Sequence, residues 1–203
     1  MKTTFEAVFD EQWAALPPAL KAHYANRPFS RDRVTVEGTL DVEMHPWMRK
    51  LSWLIKLTGM LTPYEGTAVP TTVHFHSEPD SNAFVFERIF NFPGRAPVVF
   101  RSRMISKRAH RVTEYMKTGA GWKATYYFDK DKVILRHAGY VVRLLGLDIP
   151  MPIEWLVGYG YAYEQATGED SFKMHMQMSG GLLEKPLYSY GGEFRVTEIL
   201  RRD

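Results

Sequence analysis

Between Ala83 and Phe92 the chain reads Ala-Phe-Val-Phe-Glu-Arg-Ile-Phe-Asn-Phe. Side chains on a strand alternate between faces, so Phe84, Phe86, Arg88, Phe90 and Phe92 share one face and Val85, Glu87, Ile89 and Asn91 the other. One wall is aromatic with a single cation set into it. The second face still carries Val85 and Ile89, the pattern of a strand with neighbours on both sides.

The same period of two recurs along the chain. Val34 to Met44 alternates Val34, Val36, Gly38, Leu40, Val42 and Met44 against Thr35, Glu37, Thr39, Asp41 and Glu43, the cleanest strand pattern present. Val69–Ser77, Val98–Ser106, His110–Lys117 and Trp122–Asp129 follow, separated by short turns that favour antiparallel neighbours. Val133 to Leu145 either continues as one strand or bends at Gly139. In Leu147 to Tyr159 the prolines at 150 and 152 argue against regular strand pairing, and a single helical turn follows them. Tyr161–Thr167, Ser171–Gly180 and Tyr188–Leu200 complete the set, with Phe172, Met174, Met176 and Met178 on one face.

Two segments carry a helical period instead. Phe9 to Tyr24 predicts two short helical pieces broken at Pro17-Pro18, with Phe9, Trp13, Leu16 and Leu20 buried. Trp47 to Met60 places Trp47, Met48, Leu51, Leu54 and Ile55 on one arc, with Trp53 among cations on the other. That helix either packs on the sheet, or acts as a lid or membrane-surface contact; packing on its own domain is the expectation.

These elements predict a mainly β fold: a curled antiparallel meander or barrel of about nine to ten strands, lipocalin-like in outline, with a short N-terminal helical segment and one helix after the first strand. So many strands in one meander hide their edges best by curling or closing. At 203 residues one domain over 1–203 is expected. The net charge of +3, from 26 basic and 23 acidic residues, is too balanced for a general nucleic-acid binder. The densest basic stretch, Arg101 to Arg111, lacks the interleaved aromatics that single strands stack on. Without cysteine there are no disulfides and no thiolate chemistry. No signal-like or membrane-spanning apolar run is evident, so a cytoplasmic protein is expected.

Candidate chemistry is sparse. His74 and His76 share one strand face, but no third ligand at recognisable spacing accompanies them, so a polar outer face and no metal are expected. Nucleophile-elbow, zinc-protease and dinucleotide-binding motifs are absent from the sequence, and no cofactor is expected. Arg88 is different, because a guanidinium inside an apolar wall must be paired or bind an anion. Glu114 is its expected partner, with Arg101 and Arg103 as co-workers in holding an anionic head group.

Leu16-Pro-Pro-Ala-Leu20 with His23-Tyr24, Val69-Pro70, Phe100-Arg-Ser102, Glu114, the Gly146–Pro152 segment, Glu164, Phe172 and Tyr190-Gly-Gly192 together resemble a bacterial family catalogued as domain of unknown function 4166. Members of that family also occur fused to saccharopine-dehydrogenase-like reductases, so the resemblance implies a stand-alone accessory domain and a reductase partner, and no established chemistry.

The expected function is non-catalytic binding of an apolar or amphiphilic, lipid-like small molecule in a β-barrel cavity. Phe84, Phe86, Phe90, Met174 and Met176 would line it, Arg88 would meet an anionic head, and Trp47, Leu51 and Ile55 would cover the mouth. The alternatives are an enzyme or reductase accessory built on Arg88, Glu114 and His137, and an interaction scaffold with a filled barrel. They separate on whether those three residues converge and whether the interior is open.

Overall fold

The computed structural model describes residues 3–50, 52, 53, 55, 61–181 and 183–202. Helix α1 (Thr4–Phe9), a 3-10 turn (Asp10–Ala15) and α2 (Pro18–Tyr24) lead into β1 (Arg33–Met44) and α3 (Pro46–Lys50). Then come β2 (Gly66–Glu78), β3 (Ser81–Phe90), β4 (Val98–Arg108), β5 (Arg111–Met116), β6 (Ala120–Asp129) and β7 (Lys132–Leu144). The chain finishes with β8 (Leu147–Met151), α4 (Glu154–Val157), β9 (Tyr159–Ala166), β10 (Ser171–Gly180) and β11 (Leu183–Leu200).

The strands lie in the order β6-β5-β4-β3-β2-β1-β11-β10-β9-β7, and β7 pairs back onto β6. Ten antiparallel strands therefore close into a barrel, which removes every free edge among them. The eleventh strand, β8, hangs from the far half of β7 where β9 has already left it. Pro150 sits there opposite Val141. Pro150 thus does not prevent pairing, because an edge strand tolerates a residue with no N–H to give, and Pro152 lies just beyond the strand.

At Gly139 both expectations are met at once. β7 continues through it, and the register slips between Lys123 and Ala124 on the partner strand, so Ala138 is an extra residue in a bulge. Gly38 and Gly192 serve the curvature: an added Cβ on Gly38 would run into the Glu193 carbonyl, and one on Gly192 into that of Thr39.

The N-terminal helices begin earlier than hydrophobic spacing predicts, at Thr4. The reason is a capping box: the Thr3 hydroxyl accepts the Glu6 N–H at 3.0 Å, and the Glu6 carboxylate accepts the Thr3 N–H at 3.2 Å. Phe5, Val8, Phe9, Leu16 and Leu20 are buried, and Pro18 opens α2.

Residues 26–32 are tied to the chain end and to the start of β3: the Arg31 N–H donates to Arg202 O and the Phe29 N–H to Ser81 O, each at 3.0 Å. Fully buried Asp32 accepts hydrogen bonds from the Arg27 backbone N–H and guanidinium at 2.9–3.0 Å, and from the Arg202 N–H at 2.9 Å. Burial acts to raise its pKa, but these donors outweigh that and hold it at about 2, below the ordinary 3.8. A carboxyl depressed in the folded state stabilises above its unfolded value, and that stability is lost as pH falls through the folded one. Comparing urea melts of the wild type and Asp32→Asn, the stability gap is expected to shrink by about 2 kcal/mol between about pH 5 and pH 2. A gap independent of pH would rule this linkage out.

Candidate functional site

One end of the barrel is sealed. Phe5 packs against Tyr24 at 4.6 Å, Phe84 at 4.9 Å and Tyr126 at 5.6 Å between ring centroids, and His23 lies on Phe75 and Phe172 at 4.6 and 4.8 Å. Toward the other end the interior opens into a cavity of about 240 Å³. Its walls include Phe86, Phe100, Met104, Trp122, Met174 and Met176, and its mouth lies among Trp47, Met48 and Ile55 on one side and Ile153, Leu156 and Val157 on the other. Small residues border the space: Gly160 and Ala162 on β9, and Ala120 and Gly121 on β6. A Cβ on Gly160 would press into the Trp122 ring, so the glycine lets that indole lie flat on the wall.

Deep in the cavity the lining turns polar. Arg88 is buried, with Nη2 2.9 Å from Glu114 Oε1 and Nη1 3.3 Å from the Ser102 hydroxyl, which itself donates to Glu114 Oε1 at 2.5 Å. The guanidinium lies 3.4 Å over the Phe86 ring and 4.6 Å over Phe100. Burial acts to lower its pKa, and the neighbouring Tyr190 and Glu114 outweigh that and raise it, so the charge is held. Its Nε–H is buried without a partner among the described residues.

Glu164 forms a second buried carboxylate. Its Oε2 accepts from the Tyr24 hydroxyl at 2.7 Å and lies 3.1 Å from His23 Nε2. A carboxylate here can only accept, so His23 carries its proton on Nε2; Nδ1 is buried with no partner among the described residues. Burial first and Glu164 second raise the Tyr24 pKa well above its ordinary value, and the phenol remains a donor. Burial likewise raises Tyr190, whose ring lines the cavity between the two carboxylates' strands.

At the rim, the Trp122 indole donates to His137 Nδ1 at 3.1 Å, and His137 Nε2 lies 3.2 Å from Glu154 Oε1. An indole only donates, which places the neutral ring's proton on Nε2, facing the carboxylate. This chain ties α4 to the barrel wall. Gly158 ends α4 at φ 76°, its N–H donating to Glu154 O at 2.8 Å. Outside the mouth, Trp53, Trp155 and the β7–β8 tip residues Leu144, Leu145 and Leu147 are exposed.

Of the residues singled out from the sequence, the structure brings Phe86, Arg88, Glu114, Met174, Met176, Trp47 and Ile55 to one cavity. Phe84 and Phe90 point inward but lie outside the cavity lining, as packed core against Phe5 and Tyr190. Leu51 lies outside the described residues. Arg101 and Arg103 are elsewhere: β4 turns Phe100, Ser102 and Met104 inward and both arginines outward, where they meet Glu78. Nor does His137 join Arg88 and Glu114; its hydrogen bonds are spent at the rim, so that proposed catalytic trio does not assemble. His74 and His76 stay on the outer face, and among the described residues no group of His, Cys, Asp and Glu is placed to hold a metal ion. Among the described residues no helix is long and apolar enough to cross a membrane.

Residues 16–194 match the family model described as a domain of unknown function, DUF4166. A search of curated proteins found no match. Among solved structures, the dehydratase domain from the CurJ module of curacin polyketide synthase is similar at 8% identity over 81% of this chain and 75% of that one, with a TM-score of 0.17. An inactive mutant of the CurJ dehydratase, in complex with a compound, gives 8% identity over 80% and 76%, with a TM-score of 0.16. Likeness this low bears on neither fold nor chemistry here.

Proposed function

Because the chain belongs to DUF4166, a family whose description assigns no chemistry, its role has to be argued from its own interior, and we propose that it is a non-catalytic binding protein for a small amphiphilic molecule. The supporting observation is the cavity: a closed barrel with one apolar mouth, adaptable methionine walls and a buried polar cluster at depth. Concave, mostly apolar sites with a few convergent polar groups are the usual form of small-molecule sites. An interior of about 240 Å³ tells against a filled-barrel scaffold. Methionine suits such a wall because its unbranched, polarisable side chain repacks around guests of different shape.

Size limits the guest. A cavity of about 150 Å³ holds benzene with its six carbons, so about 240 Å³ corresponds to roughly ten non-hydrogen atoms. A long lipid tail would have to extend out through the mouth.

Filling the cavity tests the reading. Ala162 is buried on the inward face of β9, and Ala162→Phe puts a ring into the open space. Binding of an eight-carbon amphiphile, followed by calorimetry, is expected to fall at least tenfold while far-UV circular dichroism stays that of the wild type. Undiminished binding in a folded variant would move the site elsewhere on the protein, and absence of binding to the wild type by any such amphiphile would remove the proposal.

A further inference from the structure

Among the described residues, the ionisable side chains that line the cavity are Arg88, Glu114 and Glu164, two carboxylates to one guanidinium, apart from tyrosines whose phenols remain protonated. They are not equivalent. Arg88 and Glu114 neutralise each other at 2.9 Å, each buried, and Ser102 completes the pair. The guanidinium's charge is therefore already balanced: Nη1 and Nη2 are each engaged, and Nε, which has no partner among the described residues, is buried.

Glu164 is paired with no guanidinium or ammonium among the described residues; its ion-pair contact is His23, at 3.1 Å. Its two partners, Tyr24 and His23, each donate one hydrogen bond to the same oxygen, Oε2. His23 Nδ1 is buried with no partner among the described residues, so the ring is held through Nε2 alone. Oε1 carries no hydrogen bond from the described residues, and Glu164 faces both the main cavity and the small pocket of about 20 Å³ beneath it. A carboxylate held from behind through one oxygen, with the nearby Arg88 guanidinium already paired to Glu114, is short of donors on its open side.

We propose that this site takes the protonated amine head of a small amphiphile, with the ammonium on Glu164 and the apolar tail running past Met174 and Met176 toward the mouth. This rests on the binding role proposed above and reverses the anionic head that Arg88 suggests in the sequence. The net charge of the chain is +3, which on its own attracts anions. A preference for a cation would thus report the local site and not the protein's overall field.

The test is a head-group series with one tail, octylamine, 1-octanol and octanoate, each within the roughly ten-atom limit, titrated calorimetrically at pH 7 into the wild type and Glu164→Gln. In the wild type, octylamine is expected to bind at one site at least tenfold tighter than octanoate, with octanol between them. In Glu164→Gln, which keeps the shape and removes the charge, the amine should fall to within about threefold of the alcohol. If octanoate or octanol binds the wild type best, the amine assignment is overturned while the binding role stands. If none of the three binds, both are overturned. An amine preference that survives in folded Glu164→Gln, or in Ala162→Phe, would also overturn it, by placing the ammonium elsewhere. Should Glu164→Gln not fold, the wild-type ranking alone decides.

Discussion

Glu114→Leu is expected to destabilise the protein by about 3–5 kcal/mol, because it leaves Arg88 charged, buried and unpaired inside the barrel. Arg88 is 4% exposed, and its guanidinium is stacked on Phe86. Nor can it shed its proton, since arginine stays charged at any pH the fold tolerates. In a domain of this size the loss should appear as a fall in melting temperature of roughly 6–20 °C. Removing both partners, as in Arg88→Met with Glu114→Leu, should restore most of it, since an apolar pair of similar volume often equals or exceeds a buried ion pair. The two measurements separate the pair's net worth from the penalty of breaking it. A cost below about 1 kcal/mol for Glu114→Leu would mean that water or a neighbouring group already solvates Arg88, and the buried-pair description would fail.

Phe5→Ala should cost a similar amount, about 3–5 kcal/mol, for an unrelated reason. Phe5 is fully buried, and its ring meets Phe9, Tyr24, Phe84 and Tyr126. Truncation loses the transfer energy of the ring and leaves a void where four other rings have fixed positions and cannot close in. Urea denaturation measures it directly. A loss near 1 kcal/mol would show that α1 is a loosely attached cover instead of part of the core.

Much of the architecture was legible because the strand period is two and the core is aromatic. The inward face of β3 follows from the alternation of Phe84, Phe86, Arg88, Phe90 and Phe92 alone, and the inward run Phe172 to Met178 on β10 does likewise. The same alternation, applied to β4, excludes Arg101 and Arg103: with Phe100, Ser102 and Met104 turned inward, the residues between them must face out. Chemistry overrode geometry in grouping those cations with Arg88. The expected Arg88–Glu114 pair was legible because a lone cation in a greasy wall needs a nearby strand to answer it.

Glu164 with His23 and Tyr24 was not legible as a unit. The partners are about 140 positions apart, one on a strand and two on a helix that packs against several strands of the barrel. No spacing rule connects them. A weaker signal was present on β9 itself, where Gly160, Ala162 and Glu164 share a face: small residues beside one carboxylate mark space that something else has to fill. The pairing of β8 despite Pro150 was equally out of reach, since only the finished topology makes it an edge.

The aromatic seal laid down by α1 and α2 has one more consequence. It turns the barrel into a blind tube, so a guest must arrive and depart by the same door. Under the amine proposal, the guest would travel in charged end leading and come out tail leading. Which end faces the world is then decided on the doorstep, before any contact at depth is made.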